Sequence, residues 1–181
     1  MRIRNLSVAC GALLLAVGAP VAASAQNMAY QQPPAPIADI LDARLNPGVS
    51  VSPDGQTILL TDRTNLPSIQ ELAEPMLRLA GYRINPRNNG QAASRVNWLT
   101  GLSFQSVNGG AERKVTGLPA NARLTNVSWA PNGQSVAFLV DAANGLELWT
   151  ASLSDATAKR LTNGVVNATS GSGFSWLPDS S

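Results

Sequence analysis

The feature that most limits what this chain can fold into is a segment that occurs twice and begins a third time. Val49-Ser50-Val51-Ser52-Pro53-Asp54-Gly55-Gln56-Thr57-Ile58-Leu59-Leu60 aligns with Val127-Ser128-Trp129-Ala130-Pro131-Asn132-Gly133-Gln134-Ser135-Val136-Ala137-Phe138. Phe174-Ser175-Trp176-Leu177-Pro178-Asp179 opens another copy. Proline presets φ, and Asp or Asn followed by Gly accepts the positive φ of a tight turn. The flanking residues alternate, as half-buried strands do. A second element repeats in the same order. Residues 102–107, a turn at Asn108-Gly109-Gly110 and residues 113–116 match residues 146–153, a turn near Ser154-Asp155 and residues 159–162. Residues 125–162 thus hold four short strands joined by hairpins. Four antiparallel strands in about 40 residues make one blade of a β-propeller.

The spacing of the copies locates an insertion. Pro131 and Pro178 lie 47 residues apart, a blade-like period, whereas Pro53 and Pro131 lie 78 apart. The excess falls at residues 64–100. There Ser68 and Glu71 have the spacing of a capping box for a short helix, which Pro75 limits. Met76 to Ile84 reads as an additional strand and Asn85 to Gly90 as a turn. The expected fold class is all-β: an incomplete β-propeller of about two four-stranded blades and the start of a third, after a signal peptide. The expected divisions are 1–25 signal, 26–48 extended linker and short N-terminal segment, 49–124 first blade with its insertion, 125–170 second blade, and 171–181 the start of a truncated third. One helical turn is expected at Pro36–Asp42.

The beginning of the chain reads as an export signal. Arg2 and Arg4 precede an apolar run from Val8 to Val21, and Ala23-Ser24-Ala25 supplies the small residues a signal peptidase needs. The run is shorter than the roughly 20 apolar residues that span a bilayer. Cleavage after Ala25 would leave a periplasmic or extracellular chain without a membrane span. It would also remove Cys10, the one cysteine, and two of the 13 Lys and Arg, leaving 11 against 11 Asp and Glu. Such a neutral chain has no basic stripe to recruit phosphates, so nucleic acid is not an expected partner. It can form no disulfide, although the compartment would permit one.

The chemistry absent from the sequence is as informative. The chain has no histidine, which excludes Ser-His-Asp and Cys-His activation within it and removes the commonest metal ligand. No nucleophile elbow, phosphate loop or EF-hand loop occurs; Gly101-Leu102-Ser103 starts like an elbow but continues Phe104-Gln105. No catalytic, cofactor or metal residue is therefore assigned, and no cofactor is expected. Asp39 with Asp42, and Glu71 with Glu74, are carboxylate pairs at helical spacing that read as caps and solvated surface rather than as a general acid and base. Trp98, Trp129, Trp149 and Trp176 offer a ligand-stacking platform, but Trp129 and Trp176 occupy equivalent repeat positions and read as inter-blade core. Ser172, between two glycines, has no base and reads as loop. Asn126-Val127-Ser128 and Asn167-Ala168-Thr169 are sequons that matter only in a eukaryotic secretory pathway.

Four stretches carry a family resemblance: 36–43, the repeat start at 49–60, Leu66-Pro67-Ser68-Ile69-Gln70-Glu71-Leu72-Ala73-Glu74-Pro75, and Leu79-Ala80-Gly81-Tyr82-Arg83-Ile84-Asn85-Pro86. With these the mature chain resembles the N-terminus of a bacterial prolyl-oligopeptidase-family serine peptidase, on its glutamyl-endopeptidase-like branch, whose members are often labelled dipeptidyl aminopeptidase or acylaminoacyl peptidase. The resemblance implies a propeller that caps a C-terminal α/β-hydrolase domain and limits access to peptides. None of that family's catalytic positions has a counterpart here. The implied function is the non-catalytic propeller portion of an exported serine peptidase, gating peptide substrate toward a missing catalytic domain and inactive alone. The alternative is a stand-alone TolB-like or WD40-like propeller that binds protein partners. Self-association through exposed blade edges is a further expectation, with Trp129, Phe138 and Trp149 among the apolar residues left without neighbours.

Overall fold

The two copies of the Pro-Asp/Asn-Gly segment fold through the same atoms. In the computed structural model, which describes residues 32–92 and 96–181, Asp54 Oδ1 accepts the Gln56 N–H at 3.0 Å. Asn132 Oδ1 accepts the Gln134 N–H at 2.9 Å. Gly55 and Gly133 take φ of 71° and 69°, which glycine tolerates without a Cβ clash. The third copy repeats the device, with Asp179 Oδ1 accepting the Ser181 N–H at 3.1 Å. The turns also lie against one another. Gly133 packs on the Asp54 carboxylate, and the Asn132 N–H donates to Ser180 Oγ at 3.0 Å. The expected signal at 1–25 and the start of the linker lie outside the described residues.

Each of the first two copies feeds a set of four antiparallel strands. The first contains β1 (Gly48–Val51) and β2 (Thr57–Arg63), then β6 (Leu99–Ser106) and β7 (Arg113–Lys114). The second contains β8 (Leu124–Trp129), β9 (Ser135–Ala142), β10 (Gly145–Ser152) and β11 (Ala158–Arg160). Leu99 pairs with Leu124 between the sheets, and Thr116, just past β7, bridges to Thr157 beside β11. Among the described residues the fold is all-β apart from two short helices, α1 (Ala35–Asp42) and α2 (Ile69–Leu72), and two up-and-down sheets in succession are a propeller-like arrangement.

Between β2 and β6 the chain leaves the first sheet and returns to it. That excursion holds α2 and a three-stranded sheet of β3 (Leu77–Leu79), β4 (Tyr82–Asn85) and β5 (Gly90–Gln91). Ser68 and Glu71 form the expected capping box. The single strand expected at Met76–Ile84 is instead a hairpin. Ala80 and Gly81 both take positive φ, 46° and 89°, which turns the chain back so that Leu79 pairs with Tyr82.

The core lies between the two sheets. Leu59, Leu102 and Phe104 share one face of the first, and Val136, Phe138, Val140, Trp149 and Ala151 share one face of the second. Phe104 meets Trp129 with ring centroids 5.8 Å apart. Trp129, Phe138 and Trp149 therefore do not lack neighbours, contrary to the sequence expectation. Val49 and Val51 on β1, on the other face of the first sheet, are exposed. The far face of the second sheet, Leu139 and Leu146, is covered by Val166, Ala168 and Phe174. Residues 174–177 form no ladder, where a strand was expected; Trp176 Nε1 donates to the Ser128 carbonyl at 3.3 Å. Among the described residues, no helix is long and apolar enough to cross a membrane.

Candidate functional site

The densest cluster of charge joins the excursion to the second sheet. Asp141, near the end of β9, has a side chain only 1% exposed. It accepts Arg87 Nη2 at 2.9 and 2.7 Å, Asn88 Nδ2 at 2.9 Å, and Arg123 Nη2. Arg87 Nη1 reaches the Ala142 carbonyl at 3.0 Å. Arg123 also donates to Glu71 Oε1 at 3.1 Å and Glu74 Oε1 at 3.4 Å, and it lies 4.9 Å above the Trp98 ring. Glu74 Oε2 accepts Asn85 Nδ2. Glu71 does two things at once: Oε2 accepts the Ser68 N–H at 2.7 Å in the capping box while Oε1 holds Arg123. Three carboxylates thus share two guanidiniums.

Burial alone would push the Asp141 carboxyl up. The Arg87 and Asn88 hydrogen bonds and the two arginine charges outweigh it and hold the group below its ordinary range. For Glu71, burial again opposes, while the Ser68 N–H and Arg123 win and lower it. Burial would lower Arg123, but Asp141, Glu71 and Glu74 raise it. These bonds hold Asp141, Glu71 and Arg123 in their charged forms. The cluster's work is positional: α2, the β4–β5 turn and Trp98 are tied to one carboxylate on β9. An open cleft of about 660 Å³, lined by Gln70, Glu74, Asn85 and Arg87, lies beside it.

The sequence candidates fall out as follows. Glu71 and Glu74 are not simply solvated, as expected, but carry the ion-pair network, because Arg123 arrives from the segment before β8. Asp39 and Asp42 sit exposed on α1. Trp98 and Trp149 are buried, Trp149 donating to Glu147 Oε2 at 2.9 Å, and Trp129 and Trp176 are half-buried, so the four form no shared stacking surface. Ser172 Oγ donates to the Phe174 carbonyl at 2.6 Å and its own carbonyl accepts Asn126 Nδ2, which makes it part of a loop. Asn126 and Asn167 are both exposed. Among the described residues, no cluster of His, Cys, Asp and Glu is arranged to hold a metal. Sequence reasoning did not find Arg87, Arg123 or Asp141. The one available signal was a carboxylate closing the apolar run Val136–Val140, since a charge at the end of a buried strand needs a partner.

The chain is similar to proteins named for peptidase activity. It is 35% identical over 148 residues to the "Probable glutamyl endopeptidase, chloroplastic" of Oryza sativa subsp. japonica, covering 76% of this chain and 16% of that protein. It is 36% identical over 115 residues to the protein of the same name from Arabidopsis thaliana, covering 61% of this chain and 12% of that one. The chain therefore spans less than a fifth of the length of these relatives. No family model matches it. A solved structure titled as a "putative TolB" from Agrobacterium tumefaciens superposes with a TM-score of 0.35 at 17% identity, over 76% of this chain and 52% of that one, too loosely to bear on the fold.

Proposed function

We infer that these residues are the non-catalytic propeller portion of an exported serine peptidase of the prolyl-oligopeptidase type, on its glutamyl-endopeptidase-like branch. The observation that carries this reading is the 35% identity over 148 residues to a plant glutamyl endopeptidase more than five times as long as the matched share. The absence of histidine from the 181 residues agrees with it, because acyl transfer by Ser-His-Asp needs a base that this chain does not possess. On this reading the sheets narrow the approach to a hydrolase domain elsewhere in the polypeptide. The apolar run before Ala25 would direct export.

Sequencing the coding DNA beyond Ser181 tests it. The expected result is an open frame with a G-x-S-x-G motif followed by Asp and His; further propeller repeats alone would sink the peptidase reading and favour a binding module. The 181-residue chain by itself should show no labelling by a fluorophosphonate probe. Stoichiometric labelling of any serine would mean that the chain carries a nucleophile of its own.

A further inference from the structure

The β3–β4 hairpin carries two arginines directly opposite each other. Arg78 is the register partner of Arg83, so both side chains leave the same face. Like charges placed opposite one another weaken a strand pair. Among the described residues Arg44, Arg87, Arg123 and Arg160 each pair with a carboxylate, whereas neither Arg78 nor Arg83 does. Arg83 Nη1 reaches only the carbonyls of its own turn, Gly81 at 3.4 Å and Tyr82 at 3.3 Å. The opposite face of the hairpin is apolar. Leu77, Leu79 and Tyr82 are 55%, 66% and 49% exposed, with Ile84 half-buried beside them. β3 is also an end strand of its sheet, so among the described residues its outer edge pairs with no other strand. The hairpin is anchored at its far end, where Asn85 bonds Glu74 and Arg87 bonds Asp141.

We propose that the free edge of β3 is a docking strand for an extended segment of another polypeptide in which acidic and apolar residues alternate. A strand added to an edge gains main-chain hydrogen bonds and sends successive side chains to opposite faces. Carboxylates on one side meet Arg78 and Arg83, whose forks suit them, and remove the repulsion between the two guanidiniums. Apolar residues on the other side cover Leu77, Leu79 and Tyr82. The edge is only three residues long, so the ladder alone gives little, and the paired faces supply the selectivity. A basic segment is repelled, and a purely acidic tail leaves the leucines uncovered. No bond is broken at this edge, so the docking goes beyond the gating role and does not depend on it.

Fluorescence anisotropy tests the proposal with the 181-residue chain and a fluorescein-labelled nonapeptide alternating glutamate with leucine. Saturable, salt-sensitive binding is expected, with none for a peptide alternating lysine with leucine. Arg78→Ser with Arg83→Ser should weaken binding by about ten- to a hundredfold, the usual effect of losing charge-assisted hydrogen bonds. That variant removes a surface repulsion, so its melting temperature should not fall; Leu79→Asp provides a second variant, expected to weaken binding from the other face. Of two probes N-methylated along one edge or the other, one should lose binding and the other keep it. Equal affinity for the glutamate and lysine peptides, undiminished binding by the double arginine variant, or equal binding of both N-methylated probes would overturn the proposal. So would binding to phosphatidylserine vesicles through the same arginines with no binding to the peptide.

Discussion

Replacing Asp141 by asparagine removes the carboxylate that Arg87 and Arg123 share while nearly keeping its shape. The side chain is 1% exposed, whereas Arg87 and Arg123 are 38% and 25% exposed. Deleting one partner of a buried ion pair costs about 3–5 kcal/mol. Here solvent reaches both guanidiniums, and Arg123 keeps Glu71 and Glu74, so the expected loss is about 2 kcal/mol. It should also be local. The Leu59, Phe104 and Phe138 core lies between the two main sheets, while Asp141 holds the excursion between β2 and β6. Native-state hydrogen exchange reads the difference. The Gly90 N–H donates to Asn88 Oδ1 at 2.9 Å and the Ala168 N–H to the Asn89 carbonyl at 2.9 Å. Both should exchange about thirtyfold faster in Asp141→Asn, the factor that 2 kcal/mol gives, while the amides of β9 and β10 stay protected. Asp141→Leu combined with Arg87→Met removes both charges and should recover part of the loss. Unchanged exchange at Gly90 and Ala168 would refute the claim that Asp141 fastens the excursion; uniform acceleration would refute its locality.

Acid should loosen the same cluster. Asp141 and Glu71 titrate below their ordinary values of 3.8 and 4.5 in the fold, so their stabilisation is complete above those values and is lost as pH falls through the lowered ones; protection at Gly90 should stay flat above about pH 5 and drop below about pH 4, and a loss centred between about pH 6 and 7 would contradict the assignment. Gly133→Ala should cost about 1–2 kcal/mol in urea unfolding, and more than Gly55→Ala: both sites have positive φ, but a Cβ at Gly133 would meet Asp54 Cγ at 3.3 Å whereas one at Gly55 meets nothing within 4 Å. Equal costs would show that the stacked turns do not press on each other. The free edge of β1 and the exposed Val49 and Val51 beside it should make the chain self-associate with concentration, and Val49→Lys should reduce this in sedimentation velocity; a monomer at all concentrations would count against an adhesive edge.

What was legible in the sequence was what a few neighbouring residues settle by themselves. Asp54 and Asn132 bind the N–H two residues on, and Ser68 and Glu71 cap one another across three residues, so both devices show in a short window. The ion-pair cluster was not legible, because its bonds join Arg87 to Asp141 and Arg123 to Glu74 across 54 and 49 positions. Strand alternation fixes which residues share a face but not which face finds a neighbour. Val49 with Leu60 and Leu59 with Phe104 are both register pairs on the first sheet, one pair on each side. Phe104 and Leu59 are buried while Val49 is 66% exposed, because the second sheet packs on their side alone. The order of the stacked turns, Asp54 on Gly133 and Asn132 on Ser180, places that neighbour. A glycine in this motif therefore has two physical reasons. Gly55 is there for its φ; Gly133 is there for its φ and for the carboxylate of the turn before it.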